Sequence, residues 1–156
     1  MNSFEKLEQA AAEKGLDVID WNFESEQIQG LYYDKVIALN RNLTDSATKS
    51  CVLAEELGHY YTSAGDILDQ TKTENRKQEY RARLYGYNLK LGLIGIIDAF
   101  EHGCRNRYEM AEDLEVTEEY LEDAIGCYRQ KYGICTTVDN YVIYFIPALM
   151  VCKIIN

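Results

Sequence analysis

A helical pattern from Ala47 to Tyr61 carries a glycine, Gly58, in its interior, and that glycine is the strongest single constraint on the fold. Glycine inside a helix costs about 1 kcal/mol relative to alanine, so its presence usually has a packing reason. The next helical run, from about Thr73 to Leu91, offers one. Glu79, Ala82, Arg83 and Gly86 share a face of it at one-turn spacing. Small residues on both helices predict a closely packed pair.

The flanking segments fill in an α+β architecture. Ser3 to Lys14 reads as a short helix, capped by Ser3 and ended by Gly15. Three β-like runs follow, Asp17 to Phe23, Gln27 to Tyr33 and Lys35 to Asn40, with Gly30 and Asp34-Lys35 as turn points. They predict a small antiparallel sheet of about three strands. Thr44-Asp45-Ser46 offers caps for the Ala47 helix, and Thr62 to Gln70 reads as a loop. Thr73 is expected to cap the long helix after it. Helical patterns then cover 93–102, 107–115 and 118–131, with Gly103 and Gly133 as stops and Thr117 as a cap. The tail from Thr136 to Ile155 is β-like, and Pro147 within it favours an edge strand or a turn. The expected division is 1–91, an α+β lobe, and 92–156, a helical lobe with a β-like tail.

Charge narrows the partners. The formal net charge is −10 over 156 residues, which opposes a nucleic-acid surface, because phosphate affinity comes from lysine and arginine. The segment from Met110 to Leu121 has helix-turn-helix spacing. Its second helix would carry Glu118, Glu119, Glu122 and Asp123. Phosphates repel such a helix, so we expect no direct nucleic-acid binding, whereas a basic protein surface would suit it. Met1 to Gly15 is polar and acidic, unlike a signal peptide. The most apolar stretch, Tyr141 to Cys152, is shorter than the roughly 20 residues that span a bilayer. The five cysteines are scattered without a C-x-x-C pair and read as reduced thiols of a cytoplasmic protein.

The run Glu55-Glu56-Leu57-Gly58-His59 differs by one residue from His-Glu-x-x-His, with Glu55 in place of the first histidine. Glu55 and His59 lie one turn apart on one helix face, so both can reach one cation. Glu56 is one step around and can point at a water beside it. A hydrolytic zinc takes three protein ligands and leaves a fourth position open. Glu79, on the following helix, is the candidate third ligand; a salt bridge to Arg76 or Arg83 is its structural alternative. Two carboxylates and one imidazole make a harder, more anionic set than two imidazoles and one carboxylate. The expected cofactor is Zn²⁺, with preference displaced towards Mn²⁺ or Mg²⁺. Tyr60 and Tyr61 are candidate oxyanion donors. His102 reads as a helix-end residue, and Cys51 as a buried structural thiol.

Cys51-Val-Leu-Ala-Glu-Glu-Leu-Gly-His-Tyr-Tyr-Thr62, followed by Asn75-Arg-Lys-Gln-Glu-Tyr-Arg-Ala82, resembles the ImmA/IrrE family of metallopeptidases. The likeness extends to Gly30 through Asn40 and to Tyr108 through Thr117. It implies a zincin-like lobe with Glu56 as general base and His59 and Glu79 as ligands. It also implies relief of repression, through cleavage or displacement of a prophage-type helix-turn-helix repressor. A catalytically inactive antirepressor that binds without cutting is the alternative.

Overall fold

The computed structural model describes residues 1–62 and 72–155. The chain divides into two compact units, Met1–Lys90 and Leu91–Asn156. The loop expected beyond Thr62 and the side-chain cap expected of Thr73 lie outside what is described.

The first unit opens with α1 (Ser3–Glu13). Its cap is Asn2 rather than Ser3: the Asn2 side chain accepts from the Glu5 N–H while the Glu5 carboxylate accepts from the Asn2 N–H. This reciprocal pair satisfies two amides that a helix start leaves open. Strands β1 (Asp17–Trp21), β2 (Gly30–Tyr33) and β3 (Val36–Asn40) follow in the order β1-β3-β2. β2 and β3 form the expected antiparallel hairpin, turned at Asp34 and Lys35, both at positive φ. β1 instead runs parallel to β3, so the sheet is mixed rather than wholly antiparallel. The choice of partner for β1 is a long-range contact and has no local sequence signal. The buried Asn40 fastens the β1–β2 connection: its amide donates to the carbonyl of Ile28 at 2.7 Å.

α2 (Ser46–Thr62) and α3 (Lys72–Lys90) complete the unit. Asp45 caps α2, accepting from the Thr48 N–H at 2.8 Å, and that bond holds its carboxyl below the ordinary aspartate value. Leu7, Ala11 and Leu16 meet Ile37 and Leu39 of β3 and Val52, Leu53 and Leu57 of α2 in one core. Periodicity explains this: the inward residues of α2 recur at helical spacing, those of β3 at every second position.

The second unit holds α4 (Gly92–Glu101), α5 (Arg107–Leu114) and α6 (Glu118–Tyr132), then an antiparallel meander of β4 (Cys135–Val138), β5 (Tyr141–Tyr144) and β6 (Met150–Lys153). Thr117 caps α6 as expected, its hydroxyl accepting from the Tyr120 N–H at 3.0 Å. Pro147 falls in the β5–β6 connection, the turn alternative, after a cis peptide bond. Leu121, Ile125, Tyr128, Ile143 and Phe145 are fully buried. No described helix is long and apolar enough to cross a membrane.

Candidate metal centre

The centre is built on the crossing of α2 and α3. A β-carbon on Gly58 would lie 2.2 Å from the carbonyl oxygen of Ala82, and one on Gly86 would lie 3.0 Å from that of Ala54. The two helices therefore approach backbone to backbone, and only glycine fits at position 58. This is the packing reason that the sequence demands of its interior glycine.

The close crossing brings Glu79 of α3 to the face of α2 that carries Glu55 and His59. One donor atom from each of the three lies within 4.8 Å of the other two. His59 Nε2 stands 3.8 Å from Glu79 Oε1. Glu55 is exposed, whereas His59 and Glu79 are half-buried. The donor types are those zinc takes, and bonds of about 2.0–2.2 Å place tetrahedral ligands about 3.5 Å apart. The His59–Glu79 distance is close to that spacing and the other two lie within 4.8 Å, so the three residues are candidate ligands for a divalent cation once their side chains draw in. Glu79 Oε1 also meets Arg83 Nε at 3.3 Å, the salt-bridge partner anticipated at one-turn spacing.

Glu56 sits beside the trio with a carboxyl pKa pushed up to about 7. Burial is the main cause; His59 opposes the rise, and the negative charges of Glu55 and Glu79 add to it. A group of this kind exchanges protons near neutral pH, as a general base or acid must. Its neighbour across the gap is Gly30. A β-carbon there would lie 2.8 Å from Val52 Cγ1 and 3.3 Å from Glu56 Oε1. Gly30 was expected as a turn point; it is instead the first residue of β2, and its missing side chain makes room for the Glu56 carboxyl. The signal available in the sequence was a glycine heading a tyrosine-rich strand.

Tyr60 and Tyr61 belong to an aromatic row. Tyr32 and Tyr60 meet edge-on with centroids 5.5 Å apart, Tyr60 and Tyr61 at 5.0 Å, and Tyr61 stacks on Tyr85 at 4.9 Å. Cys51 is buried in α2. His102 is in the second unit, where Nδ1 lies 2.9 Å from Asp113 Oδ2. That hydrogen bond and the carboxylate charge raise its pKa. It follows α4 as the helix-end residue expected of it.

No curated protein and no solved structure matches the chain. The model of the IrrE N-terminal-like domain family, Peptidase_M78, matches residues 11–125. That span contains all four clustered residues and more than half of the chain. The chain belongs to the IrrE N-terminal-like family of metallopeptidases.

Proposed function

We propose that this protein is a metal-dependent endopeptidase that cuts a prophage-type helix-turn-helix repressor and thereby acts as an antirepressor. The observation that carries the reading is the convergence of Glu55, His59 and Glu79 within 4.8 Å of one another, with the Glu56 carboxyl beside them. Glu55, His59 and Glu79 would hold Zn²⁺ or Mn²⁺. A bound cation of this class polarises a peptide carbonyl and acidifies water. Glu56 takes a proton from the attacking water at a carboxylate oxygen and returns it to the departing amide nitrogen.

Strand β2 supports a peptide substrate. Asn40 donates to the Gln29 carbonyl, so by register Leu31 and Tyr33 bond to β3. Gly30 and Tyr32 therefore turn their N–H and C=O groups to the side of β2 that pairs with no other described strand, with Glu56 beside Gly30. An extended peptide can add there as a further strand.

Metal analysis after purification without chelator tests the proposal. About one equivalent of Zn²⁺ or Mn²⁺ is expected, lost in His59→Ala. Near-zero content, with no uptake on adding either ion, would sink it.

The binding-only antirepressor is the second reading. The contact between Glu79 and Arg83, shorter than that to His59, favours it, because Arg83 competes for a ligand carboxylate. Exposed Glu118, Glu119, Glu122 and Asp123 on α6 would then dock the repressor's basic surface rather than DNA. Charge reversal at Glu118 and Glu119 should weaken that association. We further propose a cytoplasmic location, in keeping with five free thiols.

A further inference from the structure

We infer that the outer face of the three-stranded sheet docks an amphipathic, basic helical segment of a protein partner. Side chains alternate between the two faces of a sheet. Val18, Tyr32, Ile37 and Leu39 point to the helices and pack in or against the core. The opposite set is Ile19 and Trp21 on β1 and Leu31 and Tyr33 on β2, flanking Ala38 of β3, which pairs with both Ile19 and Leu31. A sheet with one wet face ordinarily alternates apolar-in with polar-out. Here the outer face is apolar too, apart from Asp17 and Asn40 at its two ends.

The outer set is open to solvent: Trp21 is 54% exposed, Leu31 53% and Tyr33 78%. Ile28, 44% exposed, lies at the end of the sheet, where its carbonyl accepts from the Asn40 amide. Single exposed apolar residues are ordinary, whereas four of them on the outer face of one small sheet, where polar residues are the rule, form a surface that a partner can cover.

Size and charge select the occupant. Strands of five residues and three-strand width give a face of about 17 by 14 Å, or about 240 Å². A second copy would set exposed Asp17, Glu24, Glu26 and Asp34 against their own kind, and like charges oppose that pairing. It matches one side of a three-turn helix, about 16 Å long and 10 Å across. Asp17, Glu24, Glu26 and Asp34 surround the patch, all exposed, against Lys35 and Arg41. None of the four acids is in an ion pair among the described residues. A helix with an apolar stripe flanked by lysine or arginine complements that rim.

Trp21 is the sole tryptophan, so intrinsic fluorescence reads this face directly. The full chain would be titrated with a 14-residue (about four-turn) helical peptide of leucine and lysine. Two controls are a leucine–glutamate peptide with the same stripe and a lysine–serine peptide with the same charge. A saturable blue shift is expected with leucine–lysine, at least roughly ten-fold tighter than with either control. Leu31→Glu combined with Tyr33→Glu should weaken it roughly ten-fold or more, and Tyr33→Ser alone serves if the double variant fails to fold by circular dichroism. Equal affinity for lysine–serine, or undiminished affinity in the face variants, would overturn the proposal. So would a shift that follows protein concentration without peptide, which would assign the face to a second copy. Glu56→Gln should bind as the parent does, so failure of the peptidase reading leaves this one standing, and the reverse.

Discussion

In the proposed mechanism Glu56 carries the proton transfer. Its carboxyl is lifted to about 7 chiefly because burial disfavours its charge. Replacing it with glutamine keeps the shape and removes the proton exchange. Glu56→Gln should lower peptide cleavage by about 10²–10⁴-fold while metal content stays unchanged. Equal cleavage by the variant would show that another group handles the proton. Position 55 makes a second residue-scale prediction. Glu55→His replaces a hard anionic donor with imidazole, so Zn²⁺ should bind roughly ten-fold tighter and its margin over Mn²⁺ should widen. Competition titrations against a chromophoric chelator would read both. Glu55 and His59 were legible in the sequence because one-turn spacing is a local property of a helix. The crowding of Glu56 by Gly30 was not, since it joins a strand to a helix that are adjacent only in the fold.

The helix crossing decides whether the three proposed ligands can meet. Alanine is the better helix former by about 1 kcal/mol, but a methyl on Gly58 would strike the Ala82 carbonyl, at 2.2 Å. The clash involves backbone and cannot relax through a rotamer. Gly58→Ala should therefore destabilise by about 3 kcal/mol and weaken metal uptake by moving Glu79 away from His59. Denaturant titration together with metal content would check it. The start of α2 gives a pH-dependent prediction. The folded pKa of Asp45 is depressed by the Thr48 N–H. Its stabilising effect is present above the unfolded value, at about pH 4, and is lost as pH falls through the folded pKa. Asp45→Ala should cost about 1 kcal/mol at pH 7, and parent and variant should converge as pH falls below the folded pKa of Asp45, where the carboxyl is protonated in both states. A penalty that persists unchanged at low pH would deny the carboxylate its role as cap. At this scale the elements themselves were readable from periodicity and caps. The error at α1 arose because Asn2 and Ser3 are both good caps, and the reciprocal bond with Glu5 favours Asn2.

At the scale of the whole molecule, all three proposed ligands belong to one of the two compact units, Met1–Lys90. A cation that binds only the folded state stabilises it by mass action, about 2.7 kcal/mol at a hundred times the dissociation constant. Added Zn²⁺ should raise amide-exchange protection in Ser46–Thr62 and Lys72–Lys90 and leave the Leu91–Asn156 unit unchanged. Protection gained equally in both units would refute a centre confined to the first. By itself the sequence determined the helices, the strands, the pairing of Glu55 with His59 on one face and the acidic surface of α6, because each depends on residues a few positions apart. Glu79 was a candidate partner of His59 in the sequence through the small residues of both helices, whereas only the tertiary structure decided that β1 pairs parallel to β3 and that Gly30 gives way to Glu56. Those outcomes depend on which distant backbones can touch, and a chain's local pattern does not encode that contact.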